Sequence, residues 1–208
     1  MVAMGMEMKT VFDIGACQGS WSLEYKNSLP QSQFFLFEAN QKWVPDLEKS
    51  GFPYFRTVLS KPENKFVEFY DKQSTGASYY KENTGWYDKE IPNKYPCITL
   101  DEVMATYNLP IPNFIKLDTQ GSELDILAGA TSIIGKTDLV YTECPIINYN
   151  LGAPNAHEYI NFFLTNDYIP IDCYEIHKLE NVLVQLDILF MRKESKEKYL
   201  GKHQNIKI

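Results

Sequence analysis

Several features that mark particular protein classes are missing from this 208-residue sequence. No hydrophobic run approaches the ~18 residues of a membrane-spanning helix, so we expect no membrane partner. The four cysteines lie far apart without a C-x-x-C pair, which argues against a zinc site and favours reduced thiols. The three histidines show no ligand spacing either, so no metal site is predicted. Residues 1–8 are too few for a secretory signal and follow no basic segment, so we expect a cytoplasmic protein.

Basic residues are also in deficit. Lysine and arginine number 20 against 27 aspartate and glutamate residues, and the formal net charge is −7. This balance argues against a nucleic-acid partner, because contacts with phosphates need basic patches. The length suffices for one α/β domain and is short for two. We predict a single domain over residues 1–208, with a core over 9–192 and a basic, solvated tail over 193–208. The oligomeric state stays open, a homo-oligomer included.

Two short apolar runs near the amino terminus carry the strongest functional signal. Thr10–Ile14 is predicted to be a buried strand, followed by a glycine turn over Gly15–Gly19 and a short helix. Gln33–Phe37 is predicted to be a second buried strand, and Glu38 follows it directly. This order is typical of the nucleotide-binding half of a doubly wound α/β fold. Glu38 lies 19 positions after Gly19, which suits a carboxylate that accepts both hydroxyls of a ribose.

The turn lacks the full glycine pattern of dinucleotide-binding proteins. When the G-x-G-x-x-G fingerprint is aligned on Gly15, its later glycines fall on Cys17 and Ser20. A nucleoside without phosphates therefore fits better, and S-adenosylmethionine is the common one. A nicotinamide-dependent oxidoreductase is the weaker alternative. An inactive binding or scaffold protein is another, which ordered aromatic loops beside the site would disfavour.

Two later strands also end in carboxylates. Asn113–Asp118 and Leu139–Glu143 are predicted to be neighbouring parallel strands. Ligands of open α/β sheets bind at the carboxyl ends of the strands. If the protein transfers a group from its nucleoside ligand to a second molecule, the acceptor, Asp118 and Glu143 are therefore candidates for the general base or for positioning that acceptor. The competing interpretations are cofactor contact for Asp118 and a structural hydrogen bond for Glu143.

The other segments alternate between helix and strand patterns. Helices are predicted at 41–50, from a capping box at 99–102, from 122 to Gly135, and at 157–165. Strands are predicted at 54–59, 65–70, 168–176 and 182–191, and the last two must be antiparallel because only 177–181 join them. A long loop over 71–97 is interpreted as a lid or substrate wall, or as an edge decoration. Acceptor-pocket candidates, with core packing as the competing role for the aromatic ones, are Tyr79, Tyr80, Trp86, Tyr149 and Glu123.

The sequence resembles the FkbM-type methyltransferases over about residues 10–192. The matching blocks are Asp13–Gly19, Phe37–Asn40, Thr99–Asp101, Phe114–Ala130 and Thr142–Glu143. The resemblance implies a class I methyltransferase fold: a doubly wound, mostly parallel, seven-stranded Rossmann-like sheet with a C-terminal antiparallel hairpin. It also implies S-adenosylmethionine as cofactor and O-methylation of a small-molecule acceptor such as a sugar or natural product.

The same resemblance assigns a set of cofactor-binding residues. Asp13 would hold the loop, Glu38 would take the ribose, and Asn40 would lie beside the adenine. The full set is Asp13, Gly15, Ala16, Cys17, Gln18, Gly19, Glu38, Ala39, Asn40, Ser60 and Asp118. Cys17 stands where the family often has Asn, and Ala39 where it often has Pro; both are expected to act through backbone or shape.

Overall fold

The computed structural model describes residues 6–71 and 75–199. Its strands in chain order are β1 (Thr10–Ile14), β2 (Gln33–Glu38), β3 (Tyr54–Arg56), β4 (Val58–Leu59), β5 (Phe66–Phe69), β6 (Asn93–Ile98), β7 (Phe114–Leu117), β8 (Leu139–Pro145), β9 (Tyr168–Leu179) and β10 (Val182–Arg192). Its α-helices are α1 (Ser20–Ser28), α2 (Val44–Ser50), α3 (Leu100–Tyr107), α4 (Glu123–Ala128), α5 (Ala156–Thr165) and α6 (Lys193–Tyr199). Two 3₁₀ turns cover Gln41–Trp43 and Gly85–Tyr87.

Seven of the strands form one sheet in the order β3-β2-β1-β7-β8-β10-β9. The first five are parallel to one another, and β10 is antiparallel to both β8 and β9. The predicted fold class is confirmed, hairpin included. Because β1, β2, β7 and β8 are parallel, their carboxyl ends meet at one edge of the sheet, where the candidate carboxylates follow.

The centre of the sheet is buried on both faces. Every residue of β1 and β7 is buried, and leucine, isoleucine and phenylalanine side chains fill both layers. Such continuous apolar runs are typical of parallel strands that are covered by helices on both sides. Two charged residues, Asp13 and Lys116, lie in this apolar environment opposite each other in register. Charges in such a position need a partner to be stable.

A smaller sheet of order β4-β6-β5 stands beside the main one. The predicted strand at 54–59 is split, because the backbone N–H of Thr57 bonds to the Glu38 carbonyl and β4 leaves to pair with β6. The prediction of a loop over the whole of 71–97 was wrong at its end, where β6 begins at Asn93. The sequence pattern did not indicate that strand because it contains Pro96, and proline normally argues against an interior strand position.

The helix predicted to run to Gly135 was also too long. Helix α4 ends at Ala128, and Gly129 packs so closely on the Ser60 carbonyl that a Cβ would lie 2.5 Å from it. The Asp101 carboxylate then captures the backbone and hydroxyl of Ser132 and the hydroxyl of Thr131. These tertiary contacts end the helix where local propensity does not.

Both ends of the final segment depart from expectation. The strands β9 and β10 extend until only a two-residue turn, with Glu180 at φ 54°, separates them. The predicted solvated tail begins as helix α6, in which buried Ser195 donates a hydrogen bond to Asp138. Residues 200–208 lie outside the described part of the chain. Within that part, no helix is long and apolar enough to cross a membrane.

The turn after β1 passes close to the backbone that follows β7, and this contact gives a direct test of the fold. Gly15 has φ 76°, and a Cβ there would lie 1.8 Å from the Asp118 carbonyl oxygen. Gly51 has almost the same φ of 74° but has nothing within 4 Å of such a Cβ.

We expect Gly15→Ala to lower the free energy of unfolding by more than about 4 kcal/mol, because steric overlap adds to backbone strain. The matched Gly51→Ala change should cost about 1–2 kcal/mol from backbone strain alone. Urea unfolding monitored by circular dichroism measures both. Equal losses of unfolding free energy in the two variants would contradict the close approach of Gly15 to the Asp118 carbonyl.

Candidate active site

A cavity of about 570 Å³ opens where the strands β1, β2, β7 and β8 end. Its border combines backbone of the glycine turn, carboxylates that follow the strands, and aromatic rings from the outer loops. The residues that border it are Ile14, Gly15, Cys17, Phe37, Glu38, Ala39, Trp43, Thr57, Val58, Leu59, Phe69, Thr75, Gly76, Ala77, Tyr79, Glu82, Tyr87, Asp118, Thr119, Gln120, Ser122, Ile126, Glu143 and Tyr149. Its volume is in the range of small-molecule binding sites.

The glycine turn is fixed by hydrogen bonds to the neighbouring strand. The N–H groups of Gly15 and Ala16 both donate to the Phe37 carbonyl, at 2.9 and 3.0 Å. Cys17 follows in the left-handed conformation with φ 51°, which is strained for a residue other than glycine. Burial raises the pKa of the Cys17 thiol to about 11, so this side chain is a neutral thiol at the cavity border.

Glu38 ties the first two strand ends together. One carboxylate oxygen accepts the Cys17 N–H at 2.7 Å, and the other accepts the Asn40 N–H at 2.6 Å. The residue is 8% exposed, and burial raises its pKa despite these two hydrogen bonds. Each oxygen keeps a second lone pair, so the carboxylate can still accept two hydroxyls from the cavity side. A ribose diol matches that acceptor pair.

The border next to Glu38 is largely apolar. Ala39, Trp43, Val58 and Leu59 lie there and offer only small or apolar side-chain surface. Such a surface suits a planar heterocycle such as adenine, which packs on apolar and aromatic groups. The residues present at this end of the cavity therefore fit a nucleoside.

A buried lysine holds the floor of the cavity. Lys116 Nζ lies 3.2 Å from Asp13, 3.3 Å from Asp118 and 3.0 Å from the Gly15 carbonyl oxygen. Burial opposes its charge, but the two carboxylates outweigh that effect and raise its pKa. Asp13 is fully buried and also accepts the Ser22 hydroxyl at 2.7 Å. Asp13 thus acts beneath the floor and does not border the cavity.

Gln120 joins the two carboxylates that end β7 and β8. Its side-chain amide lies 3.2 Å from an oxygen of Asp118 and 3.2 Å from an oxygen of Glu143. Gln120 itself has φ 55°, a second left-handed non-glycine residue at the cavity border. Burial, followed by the charges of Asp118 and Glu123, raises the pKa of Glu143 well above its usual range.

Glu123 lies behind this border and is 1% exposed. Its carboxylate accepts the Thr119 N–H at 2.7 Å and the hydroxyl of Tyr159. Burial raises its pKa. The geometry gives Glu123 the task of fixing the turn that presents Gln120, and it does not border the cavity.

A cluster around Asp125 anchors the segment that follows residue 75. The Asp125 carboxylate accepts Lys61 at 2.9 Å, Tyr79 at 3.2 Å and Tyr80 at 3.0 Å. Tyr79 also lies 3.1 Å from the buried Ser60 hydroxyl. The Tyr79 ring borders the cavity, whereas Tyr80 and Ser60 serve the anchor behind it.

The outer wall is completed by two further tyrosines. The Tyr149 hydroxyl donates to Gln185 at 2.6 Å, and its carbonyl accepts the Asn83 N–H at 2.6 Å. The Tyr87 hydroxyl donates to the Gly76 carbonyl at 2.7 Å. The 75–87 segment is therefore built as an ordered wall of the cavity. The side chain of Trp86 lies outside the described part of the chain.

The predicted site residues divide into two groups. Those that border the cavity are Gly15, Cys17, Glu38, Ala39, Asp118, Glu143, Tyr79 and Tyr149. Those that lie behind it or beside it are Asp13, Ala16, Gln18, Gly19, Asn40, Ser60, Tyr80 and Glu123.

One group of metal-ligand type occurs on the β9–β10 hairpin. His177 Nε2 lies 3.4 Å from Glu175 and 3.3 Å from Asp187. Ion pairs with a protonated imidazole give the same distances, and none of the three residues borders the cavity.

The comparison with protein families decides the assignment that this geometry suggests. The profile of the methyltransferase FkbM domain matches residues 13–170, about three quarters of the chain. The chain belongs to the FkbM methyltransferase family.

A curated relative is 23% identical over 150 residues, the 2-O-methyltransferase NoeI of Sinorhizobium fredii. The match covers 64% of this chain and spans 62% of the length of that relative.

Solved structures of methyltransferases share the fold of this FkbM-family chain. The precorrin-6y C5,15-methyltransferase from Geobacter metallireducens aligns with a TM-score of 0.52 at 13% identity, covering 92% of this chain and 86% of that one. The magnesium protoporphyrin IX methyltransferase from Synechocystis, solved with bound SAM, aligns with a TM-score of 0.50 at 10% identity, covering 92% and 74%. At these identities the likeness shows the fold alone.

Among the residues of this FkbM-family site that escaped sequence reasoning, Lys116 and Gln120 hold its carboxylates in place. Lys116 carried a usable signal, because a lysine inside a buried strand requires a carboxylate on a neighbouring strand. Gln120 carried none, since nothing local reveals that a loop amide will bridge two strand ends. Both act on the position of Asp118.

We expect Lys116→Met to destabilise the protein by about 3–5 kcal/mol, because it leaves the buried Asp13 carboxylate unpaired. The exposed Lys9→Met change is the matched control and should stay within about 0.5 kcal/mol. Urea unfolding of both variants is the measurement. Adding Asp13→Asn to Lys116→Met should restore part of the loss, and an unchanged stability of the single variant would contradict the ion pair.

Proposed function

We propose that this chain is an S-adenosylmethionine-dependent methyltransferase that methylates a hydroxyl group of a small acceptor such as a sugar or a natural product. The observation that carries the proposal is the joining of two chemistries in one cavity. Glu38 and the apolar border beside it form a nucleoside end, and Asp118, Gln120 and Glu143 form a carboxylate end.

The nucleoside end supplies binding through this chain's own groups. Glu38 accepts the ribose hydroxyls, while its other lone pairs keep the Cys17 and Asn40 backbone in place. Gly15 lets the glycine turn pass directly beside the Asp118 carbonyl at the cavity border, because no side chain fits there. When bound, S-adenosylmethionine supplies an electrophilic methyl group on a sulfonium.

The carboxylate end supplies the base. A hydroxyl that attacks a methyl group must lose its proton, and Glu143 accepts it as the general base. The raised pKa of Glu143 suits this task, because a base is most effective when its pKa lies near the working pH. Gln120 orients Glu143 and Asp118 by donating to both. The tyrosine wall limits the access of water to the reacting groups.

The name of the curated relative supports oxygen as the methylated atom, since that protein is a 2-O-methyltransferase. The ordered wall of Tyr79, Tyr87 and Tyr149 supports an enzyme over a binding or scaffold protein, because a scaffold needs no enclosed acceptor pocket. The missing glycines at Cys17 and Ser20 count against a nicotinamide cofactor.

We expect micromolar binding of S-adenosylmethionine and S-adenosylhomocysteine, and no binding of NADH, in calorimetric titrations of the purified chain. Glu38→Ala should weaken the affinity for both adenosyl ligands tenfold or more, about 1.4 kcal/mol, through loss of the ribose contact. The control is Glu48→Ala, because Glu48 is an exposed carboxylate on α2 that does not border the cavity. The absence of binding for both adenosyl ligands would contradict the proposal. Unchanged affinity of the Glu38→Ala variant would contradict the ribose assignment.

The rate of methyl transfer should rise with pH as Glu143 loses its proton. Because the pKa of Glu143 is raised, the rate should increase at a higher pH than the range in which an ordinary carboxyl group titrates. Initial rates at saturating cofactor, with an acceptor found by screening, give the profile. Glu143→Gln should remove the rise and lower kcat about 100-fold or more. Full turnover in both Glu143→Gln and Asp118→Asn would rule out base catalysis by these carboxylates.

A further inference from the structure

The charged side chains that border the cavity share one sign. Within the described ranges, four carboxylates border it and no lysine, arginine or histidine does. Glu38 belongs to the nucleoside end. The acceptor side is therefore left with Asp118, Glu143 and Glu82, and it carries a net negative charge once Glu143 is in the ionised form that its role as base requires.

Among the described residues, two lysines contact carboxylates at or next to the cavity border, and both are already engaged. Lys116 is engaged by Asp13, Asp118 and a backbone carbonyl beneath the floor, with its side chain 6% exposed. Lys61 is engaged by Asp125 on the outer side of Tyr79. Neither lysine borders the cavity, so neither is placed to pair with an anionic acceptor.

The wall tyrosines do not supply hydrogen-bond donors in their place. The hydroxyl of Tyr87 donates to Gly76, that of Tyr149 donates to Gln185, and that of Tyr79 donates to Asp125. Their rings are what remains for the acceptor. Apart from the Thr119 hydroxyl, which can donate or accept, the acceptor side thus offers aromatic faces and carboxylate oxygens, which match a ligand that donates hydrogen bonds.

We infer that the acceptor is a neutral or cationic hydroxyl compound, and that the site rejects acceptors carrying a phosphate or carboxylate beside the reacting hydroxyl. This inference rests on the proposed function. An anion entering here would lose its hydration and meet like charges, and both effects oppose binding. The repulsion acts as a selectivity filter against sugar phosphates and carboxylic acids.

The test uses two pairs of cofactor analogues that differ only at the sulfur position and the group attached to it, and so needs no known acceptor. Sinefungin, which carries a protonated amine there, is compared with S-adenosylhomocysteine. The carboxymethyl sulfonium analogue, which carries a carboxylate there, is compared with S-adenosylmethionine. Calorimetric titration should show about tenfold tighter binding of sinefungin than of its partner, and about tenfold weaker binding of the carboxymethyl analogue.

Isosteric variants separate charge from size. Glu143→Gln should shrink both differences at least threefold, whereas Glu24→Gln, which removes an exposed charge on α1, should leave them unchanged. Should Glu143→Gln fail to fold by circular dichroism, Glu82→Gln takes its place with the same expected direction. Equal affinities within both pairs, or tighter binding of the carboxymethyl analogue than of S-adenosylmethionine, would overturn the inference. Loss of binding for every adenosyl ligand would instead overturn the proposed function.

Discussion

The arrangement of this molecule depends on one buried ion-pair cluster. Lys116 crosses from β7 to contact Asp13 of β1, the Gly15 carbonyl of the turn, and Asp118 at the end of its own strand. One ammonium group therefore links the two central strands through their side chains and holds a candidate site carboxylate in position. In an apolar core, such a cluster is stable only as a complete set, because any member left alone is a buried charge or an unpaired polar group. The conformation of the glycine turn and the stability of the core are consequently linked.

The border of the cavity is strained as well as charged. Cys17 and Gln120, in the turns that follow the neighbouring strands β1 and β7, both adopt positive φ, which costs a non-glycine residue free energy. Each is retained by a carboxylate network: Glu38 bonds the Cys17 amide, and Glu123 bonds the Thr119 amide of the turn that carries Gln120. Buried carboxylates thus fix the backbone here before any ligand arrives, so binding need not order these turns.

The sequence predicted most of the fold, and about half of the residues that it assigned to the site border the cavity. Periodicity and strand-end carboxylates located β1, β2, β7 and β8, because buried parallel strands have an unmistakable composition. β6 was missed because Pro96 contradicts a strand locally and only its partners β4 and β5 overrule that preference. Among the site residues, those in the glycine turn and at strand ends follow from topology. Glu123 and Tyr80 were assigned to the acceptor because spacing alone cannot tell a side chain that faces a cavity from one that supports it.

The wall of the cavity is bonded largely to another outer loop. The 75–87 segment bonds to the 146–153 loop through Asn83 with Tyr149 and through Lys81 with Leu151, while the floor is bonded within the central strands. Its links to the rest include Ser78, which donates to the Gln120 carbonyl, and the Asp125 cluster. A change confined to this segment would therefore keep Ser78 and the Asp125 cluster as its points of attachment and leave the Lys116 cluster untouched. The shape of the outer wall can then vary while the backbone around Glu38 stays the same.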